Sequence, residues 1–540
     1  MTRTMRAADV LARRLHEAGC RMAFGMPGGE VLTLVDALEA AGIEFRLVKH
    51  ENAAGFMAEG LWHRTGAPGI MVATLGPGAM NGVNVVANAH QDRVPLILLT
   101  GCVDAVEEAS YTHQVMNHRA VFAPITKASF RLEPDAVDAQ ADKALGIATE
   151  PRAGPVHIDV PIAAAGAAVA VPPRPARRAG AAPLTPAPGP ELERARAWLA
   201  TAERPAMLVG LDALAEDAGG AIRDFADAWQ IPFATTYKAK GLVDEDHPLC
   251  LGGAGLSPLA DRSLVPLFGQ ADLVIAAGYD PIEMRPGWRD AWDPAHQNVI
   301  DIAPVPNHHY MHQAGLAFQS GVGPTLAALG RPGRLPPRWP GGEDEAARAA
   351  LACAFPRDGD WGPAAVIDTC RSALPRDTLA TADSGAHRIL LSQIWTCHEP
   401  RGLMQSSGLC TMGCAIPLAI GAQIGAPERP VVAFTGDAGF LMVAGELATL
   451  AETGLAPIIV VFADASLALI ELKQRGQQMK NAGVDFARHD FAAIARGFGG
   501  HGHDVSNRAE LQAALDQALR ADRFTVIAAR IERGAYDGRI

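Results

Sequence analysis

The chain has 540 residues, of which 49% are hydrophobic and 20% are charged, and its formal net charge is −12 at pH 7. A chain of this length exceeds the size of one hydrophobic core, so we expect about three domains. The acidic balance gives no broad basic surface, which argues against nucleic acid or an anionic membrane as the main partner.

Residues 1–19 have the periodicity of a helix, with charges spread through them, and lack the uninterrupted apolar core of a secretory signal. No run of about 18 apolar residues occurs, so no membrane-spanning segment is expected. These features predict a cytoplasmic protein. The cysteines are scattered, and the closest pair, Cys410 and Cys414, has no second pair at metal-ligand spacing. We therefore expect mostly buried, reduced thiols.

Two proline- and glycine-rich stretches, at about 171–190 and 330–344, divide the sequence. Proline fixes φ and donates no backbone hydrogen bond, so both stretches are interpreted as interdomain linkers. They predict three domains, over 1–172, 190–332 and 346–540.

Each predicted domain alternates short apolar runs with helical patterns. Continuous apolar strands that alternate with helices are typical of parallel sheets covered on both faces. The sequence therefore predicts an α/β protein with three doubly wound parallel-sheet domains, in which ligands bind at the carboxyl ends of strands. The predicted strands are GIMVATLG, VPLILLTG and PVHIDVP in the first domain; PAMLVG, PFATTY, LVIAAGYD and NVIDIAP in the second; and TLATADSG, PVVAFTGDAG, PIIVVFADAS and FTVIAARIE in the third.

The first domain carries two glycine-rich turns, FGMPGGE at 24–30 and TLGPGAMN at 74–81, each next to a predicted helix. Glycine lets the backbone approach a ligand closely, but turns of this composition are common in any α/β protein. Their function depends on what the rest of the chain brings to them.

Glu51 lies where the predicted strand FRLVKH gives way to a helix that buries Ala54, Met57 and Ala58. A carboxyl group walled by apolar neighbours is desolvated, which suits a proton relay. The alternative interpretation is a helix-capping glutamate with a solvated side chain.

In the third domain, the strand PVVAFTG ends at Gly436 and Asp437, and the strand PIIVVFA ends at Ala463 and Asp464. The two carboxylates are 27 positions apart, which is the length of one strand-to-strand crossover, so we expect them at adjacent strand ends. Hard oxygen ligands suit Mg²⁺ that bridges to phosphate oxygens, and Gly436 and Gly439 permit close approach of the backbone. The alternative is an ordinary helix N-cap at each position.

Together and in this order, these motifs resemble those of the thiamine-diphosphate enzymes of the acetolactate synthase (acetohydroxyacid synthase) group, over nearly the whole chain. GDAGF with ADAS is similar to that family's GDG…NN cofactor motif, and HEN to the strand end that carries its invariant glutamate. FGMPGGEVL and TLGPGAMNGV match two active-site loops, and CTMGCAIPLAIGA matches the segment that bends the cofactor. Within the group, THQVMNHRAVFAPITK, GYDPIE and Asp464 resemble the catabolic, flavin-independent type.

The resemblance implies that thiamine diphosphate and Mg²⁺ are the cofactors and that FAD is not bound. It assigns pyrimidine binding to the first domain and diphosphate binding to the third, with a central domain between them. In this family the cofactor lies between the first domain of one chain and the third domain of another. A homodimer, often doubled to a homotetramer, is therefore implied, with small 2-oxo acids as substrates.

The resemblance also assigns roles to individual residues. Glu51 would hydrogen-bond N1′ of the pyrimidine and favour the imino tautomer, whose 4′ nitrogen removes the proton from thiazolium C2. Met412 would be the apolar wedge that bends the cofactor, and the carbonyl of Cys410 would receive the N4′ hydrogen. The protein ligands of Mg²⁺ would be Asp437, Asp464 and the carbonyl of Ser466.

Three first-domain side chains are assigned to the substrate. Gln114 would face the reacting carbons, and His113 beside it would be a polar contact or an acid. Lys127 in PITK matches a lysine that lines the entrance. The alternatives are a surface histidine at 113 and an ordinary exposed lysine at 127. The remaining residues assigned to cofactor binding are Gly28, Gly29, Pro77, Ser384, Gly385, Ala386, His387, Gly436, Ala438, Gly439 and Ile470.

Two features depart from the family pattern. The usual asparagine pair is Ala463-Asp464 here, which adds negative charge at the metal. In GYDPIEMRPGWRD, Met284 replaces the usual aromatic residue and is followed by Arg285 and Arg289. Two arginines near a cavity can form bidentate hydrogen bonds with a carboxylate or a sulfonate. A substrate other than pyruvate therefore stays an alternative.

The implied activity is that of a carboligase, which decarboxylates a 2-oxo acid such as pyruvate and transfers the acyl-anion unit to a second carbonyl. The nearest alternative is a simple 2-oxo acid decarboxylase. Members that only decarboxylate often carry paired histidines and a glutamate after the second cofactor motif. Here the pair is His113-Gln114, and Ile470 stands at the position of the glutamate, where an apolar residue protects the carbanion from protonation.

Three further alternatives differ in class. A ligase for a sulfonated or amino-acid-derived acceptor stays open, because THQ also occurs in the type that makes carboxyethyl-arginine. A non-catalytic homologue is disfavoured, since Glu51, Gln114, Asp437 and Asp464 are all present. A nicotinamide-dependent dehydrogenase would need G-x-G-x-x-G after a strand, and no convincing instance occurs.

Overall fold

A computed structural model of the chain describes residues 3–171, 182–357 and 359–540. These ranges contain three six-stranded sheets in which every pair of neighbouring strands is parallel. The prediction of three doubly wound α/β domains is therefore confirmed. Residues 172–181 of the predicted linker at 171–190 lie outside the described residues.

The first domain is built on the first of these sheets. Its elements are β1 (Arg3–Arg6), α1 (Ala7–Glu17), β2 (Met22–Met26), α2 (Leu32–Ala40), β3 (Glu44–Leu47), α3 (Glu51–Thr65), β4 (Gly69–Ala73), α4 (Pro77–Asn81), α5 (Val83–Gln91), β5 (Leu96–Cys102), α6 (Ala105–Glu108), α7 (His118–Phe122), β6 (Ala128–Arg131), α8 (Val137–Thr149), β7 (Val156–Pro161), α9 (Ile162–Gly166) and β8 (Ala168–Val171). The strand order is β3-β2-β4-β5-β7-β6. Successive side chains of β4 point to opposite faces of the sheet. Ile70 and Val72 belong to one hydrophobic cluster, and Met71 belongs to another. Both faces of the sheet are thus buried, which explains the continuous apolar strands.

The N-terminus differs from the predicted helix over residues 1–19. Arg3–Arg6 form β1, which pairs antiparallel with β8 in a separate two-stranded sheet. Helix α1 begins only at Ala7, where the Asp9 carboxylate accepts a hydrogen bond from the Arg6 backbone N–H at 3.2 Å. The partner strand lies at the far end of the domain, so the local pattern does not reveal the pairing.

The central domain has the strand order β11-β10-β9-β12-β13-β14, which places its topological switch between β9 and β12. Its elements are α10 (Pro190–Thr201), β9 (Pro205–Val209), α11 (Leu211–Ala215), α12 (Gly219–Trp229), β10 (Phe233–Thr236), β11 (Cys250–Ala254), α13 (Pro258–Gln270), β12 (Leu273–Ala277), β13 (Asn298–Ala303), β14 (Leu316–Gln319) and α14 (Val322–Leu329).

The second predicted linker, at 330–344, is anchored to the central domain. The side chain of Trp339 is buried, and its Nε1 donates to the carbonyl of Pro205 at 2.9 Å. Arg338 Nη2 donates to the carbonyl of Leu199 at 3.2 Å. This stretch is therefore a docked strap on the central domain.

The third domain repeats the relative strand order of the first, with the order β16-β15-β17-β18-β20-β19. Its elements are α15 (Glu343–Ala354), α16 (Pro363–Ala373), β15 (Leu379–Ala382), α17 (Ala386–Ile394), β16 (Leu403–Gln405), α18 (Ala415–Gly425), β17 (Val431–Gly436), α19 (Asp437–Val443), α20 (Glu446–Thr453), β18 (Ile458–Ala463), α21 (Ala468–Gly476), α22 (Phe491–Gly497), β19 (His501–Val505), α23 (Arg508–Ala518) and β20 (Thr525–Arg530). Within the described ranges, no helix combines the length and apolarity needed to span a bilayer.

The first and third domains meet where α3 crosses α18. A Cβ atom added at Gly421 would lie 1.9 Å from the carbonyl oxygen of Met57, and one added at Gly60 would lie 2.2 Å from that of Leu418. The two helices are therefore in backbone contact, which only glycine permits at these positions. This crossing sets how the two domains sit against each other within one chain.

Candidate active site

Glu51 is the first residue of α3, and its side chain is buried, with 5% of the residue exposed. The helix cap is the preceding His50, whose side chain accepts a hydrogen bond from the Asn52 backbone N–H at 3.1 Å. One carboxylate oxygen of Glu51 accepts from Asn81 Nδ2 at 2.9 Å. A Cβ at Gly78 would lie 3.1 Å from the other oxygen. Glu51 is thus enclosed by the TLGPGAMN turn instead of capping the helix in solvent.

The same turn contacts the segment that carries Gln114. Gly76 adopts a left-handed φ of +62°, and a Cβ there would lie 2.5 Å from the Gln114 carbonyl oxygen. Gln114 has a φ of +60°. The side chains of His113 and Gln114 are exposed in the single chain. The two predicted substrate contacts therefore border the turn that encloses Glu51.

A buried polar network supports this turn, and sequence reasoning missed it. His118 Nε2 accepts the Gly76 N–H at 3.1 Å, and its Nδ1 lies 2.8 Å from Asp159 Oδ1. Thr100 Oγ1 donates to the same oxygen at 2.6 Å. Burial raises the pKa of Asp159, but hydrogen bonds from His118 and His157 outweigh burial and hold the pKa below its ordinary value. The available signal was a histidine and an aspartate within the otherwise apolar strand PVHIDVP.

An open pocket of about 430 Å³ lies beside Gln114, at the carboxyl ends of β5 and β7. Its lining includes the guanidinium-bearing residues Arg119 and Arg131 as well as Glu108. Arg131 Nη2 donates to the carbonyl of Val103 at 2.8 Å, and Arg131 forms an ion pair with Glu108 at 3.3 Å. The pocket is a place where a polar or charged substrate group can bind.

Lys127 lies apart from these residues. Its Nζ donates to the backbone carbonyl of Glu150 at 3.2 Å and forms an ion pair with the Glu150 carboxylate at 3.3 Å. Burial lowers the pKa of Lys127. The structure gives Lys127 no contact with Gln114, so its assignment to the entrance stays a prediction.

The strand-end carboxylates of the third domain lie side by side. In the β17–β18 register Gly436 pairs with Phe462, so the residues after each strand share one edge of the sheet. Asp437 Oδ2 accepts the Ala465 N–H at 2.7 Å, which joins the two strand ends directly. Asp464 Oδ1 accepts the Ser466 N–H at 3.2 Å. The expected proximity of the two carboxylates is therefore present.

The electrostatics of this pair fit a cation. Burial raises the pKa of Asp437 to about 6, and burial together with the charge of Asp437 raises the pKa of Asp464 to about 7. No lysine or arginine of the described ranges forms an ion pair with either carboxylate. Two desolvated carboxylates without a counter-charge, with a backbone carbonyl at Ser466 nearby, form a hard oxygen donor set that suits Mg²⁺.

His387 lies next to this edge, near the start of α17. It is buried, and its ring stacks on Phe462 with 5.1 Å between the centroids. Burial lowers the pKa of His387 to about 3, so the ring is neutral. Its Nε2 atom is buried and has no hydrogen-bond partner among the described residues. A Cβ at Gly436 would lie 3.6 Å from His387 Cε1. The unpartnered nitrogen beside a glycine is a buried polar atom that a ligand group can still satisfy.

The glycines assigned to the cofactor divide into two groups. A Cβ at Gly439 would lie 2.0 Å from Asp383 Oδ2, and one at Gly28 would lie 2.2 Å from Thr74 Oγ1, so internal packing already requires both. A Cβ at Gly29 would meet open space. The other assigned positions near these turns differ in exposure: Pro77 is exposed, Ser384, Gly385 and Ala438 are half-buried, and Ala386 is buried.

Asp383, which sequence reasoning left out, organises the neighbouring helix. Its buried carboxylate accepts the backbone N–H groups of Cys414 and Ala415 at 2.7 and 3.0 Å, at the start of α18. It also accepts from Thr435 Oγ1 at 2.8 Å. Asp383 thus ties β15 and β17 to the segment that contains Met412.

The predicted cofactor-bending segment has an unusual backbone. Cys410 adopts a φ of +55°, and its Sγ lies 3.0 Å from the Ser407 carbonyl oxygen and 3.1 Å from Arg388 Nη2. Met412 is half-buried. Ile470 is 43% exposed and Met442 is 62% exposed. The apolar side chains of this region are therefore available for a cofactor or a second chain.

The two halves of the site stay separate within one chain. Across the described residues, no hydrogen bond or ion pair joins Glu51 or Gln114 to the loops at 384–387, 436–439 or 464–466. The nearest polar contact between the two domains is made two residues before Glu51, where the Lys49 N–H donates to Glu446 Oε1 at 3.0 Å.

Three parallel α/β domains with this edge chemistry define a class of cofactor-dependent enzyme, and family comparisons name it. Residues 5–121, 192–329 and 383–529 match the N-terminal TPP binding domain, the central domain and the C-terminal TPP binding domain of thiamine pyrophosphate enzymes. The chain belongs to the thiamine pyrophosphate (thiamine diphosphate) enzymes.

Within that class the chain is an enzyme of the acetolactate synthase group. It is 30% identical to the acetolactate synthase isozyme 1 large subunit of Escherichia coli, with 97% of this chain and 94% of that protein covered. It is 29% identical to the acetolactate synthase of Bacillus subtilis, with 97% of this chain and 92% of that protein covered. It is also 30% identical to the probable 2-ketoarginine decarboxylase AruI of Pseudomonas aeruginosa, with 92% of this chain and 89% of that protein covered. The predicted acetolactate synthase-like, thiamine-diphosphate-dependent carboligase is confirmed at this level.

Proposed function

We propose that this chain uses thiamine diphosphate and Mg²⁺ to decarboxylate pyruvate or a similar small 2-oxo acid and to transfer the acyl unit to a second carbonyl. The observation that carries the proposal is the pair of desolvated, uncompensated carboxylates of Asp437 and Asp464 at adjacent strand ends. When bound, thiamine diphosphate supplies the nucleophilic carbon and the electron sink that permit C1–C2 cleavage.

The residues of this chain have distinct tasks in the proposal. Asp437, Asp464 and the Ser466 carbonyl hold Mg²⁺, and the segment at 384–387 binds the diphosphate. Glu51, enclosed and desolvated, holds a proton at N1′ of the pyrimidine.

Ligation is favoured over simple decarboxylation by the apolar character of the third-domain residues. Ile470 and Met442 are exposed in the single chain and offer no proton donor. Apolar walls exclude water from a reacting carbon. Because neither side chain can supply a proton, an added carbonyl acceptor can compete for the acyl unit.

The pocket beside Gln114 is proposed to receive the acceptor. Arg119 and Arg131 in its lining suit a carboxylate. By contrast, Arg285 Nη1 donates to the carbonyl of Leu256 in the central domain, and Arg289 is exposed. Glu108 gives the pocket an anionic group as well, which keeps a basic, amino-acid-derived substrate as the second candidate.

A homodimer, or a dimer of dimers, in the cytoplasm is proposed as the active form. The support is that no hydrogen bond or ion pair of the described residues joins Glu51 to the Asp437–Asp464 edge. In addition, Leu47 near Glu51 and Met442 near Asp437 are exposed hydrophobic residues. Residues that face a subunit interface show this exposure in an isolated chain.

Flavin independence is proposed from the contacts at the switch point of the central sheet. Arg152 from the first domain forms an ion pair with Asp212 at 3.0 Å, and Arg93 forms one with Asp280 at 2.9 Å. Asp212 and Asp280 follow β9 and β12, where a dinucleotide would bind in this topology. The ion pairs occupy that crevice and leave its acidic groups unsuited to another phosphate.

The test incubates purified protein with thiamine diphosphate, Mg²⁺ and a panel of 2-oxo acids, with and without aldehyde or ketone acceptors, and identifies products by mass spectrometry. Carbon dioxide release that depends on an acceptor supports ligation, whereas free aldehyde without an acceptor supports decarboxylation. Glu51→Gln should retain cofactor binding and lose turnover by about a hundredfold or more. The matched control, Glu44→Gln on the exposed surface of the same domain, should behave as wild type. Absence of thiamine diphosphate binding would contradict the proposal.

A further inference from the structure

The segment at 405–411, which leads into Met412, is held by a residue from another domain. Asp92 follows α5 and is 1% exposed. Its carboxylate accepts the backbone N–H groups of Ser407 at 3.0 Å and Gly408 at 2.7 Å. One aspartate of the first domain therefore fixes two consecutive peptide groups of the third.

A second contact from α5 holds the same segment closer to Met412. Ser406 Oγ donates to Asn88 Oδ1 at 2.6 Å and accepts the Thr411 N–H at 2.8 Å. Thr411 stands between Cys410 and Met412 in the sequence. The anchoring by α5 thus extends to the peptide that joins the two residues assigned to the cofactor.

The backbone of this segment needs such support. A non-glycine residue with positive φ, as at Cys410, costs on the order of 1 to 3 kcal/mol unless its surroundings determine it. Arg388, which is buried, reaches Cys410 Sγ at 3.1 Å and also donates to the Ser406 carbonyl. The turn at 406–411 is therefore held at both ends by hydrogen bonds with Asp92, Asn88 and Arg388.

Lys238 of the central domain contributes a charged contact to the same segment. Its side chain is 4% exposed, and Nζ lies 2.5 Å from Asp92 Oδ2 and 3.2 Å from the Gln405 carbonyl oxygen. Glu59 lies farther from the same nitrogen, at 3.9 Å, and burial raises its pKa. Lys238 and Asp92 form the closer buried pair, and removal of either charge leaves the other without its nearest partner.

We propose that Asp92 is a positioning residue for the cofactor. By holding the Ser407 and Gly408 peptides, it keeps the Cys410–Met412 turn in the conformation that receives thiamine diphosphate. All three domains converge on this turn through Asp92 and Lys238. The inference rests on the proposed function, and it makes cofactor affinity depend on a side chain that lies behind the turn and does not touch the cofactor.

The experiment compares Asp92→Asn with Asp261→Asn, a partly buried aspartate of α13 that accepts a hydrogen bond from Trp288 Nε1. Amide hydrogen exchange of residues 405–411 is measured without cofactor, and the Kd for thiamine diphosphate is measured by fluorescence quenching at saturating Mg²⁺. In Asp92→Asn we expect faster exchange of this segment and a Kd raised about tenfold or more, as for weakening a buried charged hydrogen bond. Asp261→Asn should change neither.

A milder variant covers the case in which Asp92→Asn fails to fold. Ser406→Ala removes the acceptor of the Thr411 N–H and leaves the charge pair intact. It should raise the Kd for thiamine diphosphate severalfold and speed exchange at Thr411. A wild-type Kd in a folded Asp92→Asn chain, or in Ser406→Ala where the former does not fold, overturns the inference. A wild-type chain that binds no thiamine diphosphate overturns the proposed function and, with it, this inference.

Discussion

The imidazole of His118 connects Asp159 to the turn that encloses Glu51. Its Nδ1 lies 2.8 Å from Asp159 Oδ1, and its Nε2 accepts the Gly76 N–H at 3.1 Å. Since Nε2 accepts, the ring is held in the tautomer that carries its proton on Nδ1. Strand β7 thereby supports the turn around Glu51 through one oriented histidine.

Replacement of His118 by alanine should loosen this turn. The Gly76 N–H loses its acceptor and Asp159 loses a donor, so we expect a loss of about 1 to 3 kcal/mol of stability and about a tenfold fall in kcat/KM. Urea denaturation and steady-state kinetics measure the two effects. His296→Ala, on the exposed surface of the central domain, is the control. Unchanged kinetics in His118→Ala would show that the turn at 74–81 keeps its conformation without the hydrogen bond to His118.

Asp464 offers a test of the metal site with two variants. Asp464→Ala removes a ligand and should weaken Mg²⁺-dependent binding of thiamine diphosphate by about tenfold or more. Asp464→Asn keeps an oxygen ligand and relieves the repulsion by Asp437, so binding should persist. Calorimetric titration of Mg²⁺ in the presence of the cofactor distinguishes them, with the exposed Asp516→Ala as control. Equal Mg²⁺ affinity in wild type and Asp464→Ala would place the metal elsewhere.

Glu59 should make stability depend on pH. Burial raises its pKa in the folded chain from 4.5 to about 8, so the native state holds a proton there that the unfolded state releases. The stabilisation is complete below pH 4.5 and is lost as the pH rises towards 8, by at most about 1.4 kcal/mol per pH unit. Glu59→Gln should therefore lose less stability than wild type between pH 5 and pH 8 in urea denaturation. Parallel curves would contradict the assignment, and Glu44→Gln should follow wild type.

The crossing of α3 and α18 predicts an asymmetric response to alanine. Gly421→Ala places a Cβ against the Met57 carbonyl, so the helices must separate, and we expect a loss of about 3 kcal/mol or more. Gly146→Ala, in the last turn of α8 with no atom within 4 Å of the added Cβ, should stabilise by about 0.5 to 1 kcal/mol. Thermal denaturation of both variants is the measurement. A stable Gly421→Ala chain would mean that the two domains dock more loosely than described.

Ile470 tests the balance between ligation and decarboxylation. Ile470→Glu introduces a proton donor at a position proposed to lie beside the reacting carbon, so more free aldehyde and less ligation product are expected. Product ratios by mass spectrometry report the change. Leu519→Glu, also a partly exposed hydrophobic position, should leave the ratio as in wild type. An unchanged ratio in Ile470→Glu would remove Ile470 from the reacting centre.

Local patterns did not reveal the edge strands of the three sheets, except β3, which was predicted from FRLVKH. β6, β14 and β19 lie at sheet edges, have only four or five residues and are largely half-buried or exposed. A strand with one neighbour and an open face has no continuous apolar run, so its sequence resembles a loop. The inner strands, buried on both faces, were all but one predicted from their apolar runs, with β2 the exception.

Sequence alone determined the three parallel α/β domains and the strand ends at Asp437 and Asp464, because apolar periodicity and one crossover length are local properties. Only the tertiary structure decided which groups support the turns at 405–411 and 74–81, with Asp92 against Ser407 and His118 against Gly76, and left the Nε2 atom of His387 without a partner. Those contacts join residues up to about 315 positions apart, and they exist because helices such as α3 and α18 dock in backbone contact. The sequence pattern predicts which side chains are buried, whereas the packing of helices and domains determines which buried side chains contact each other.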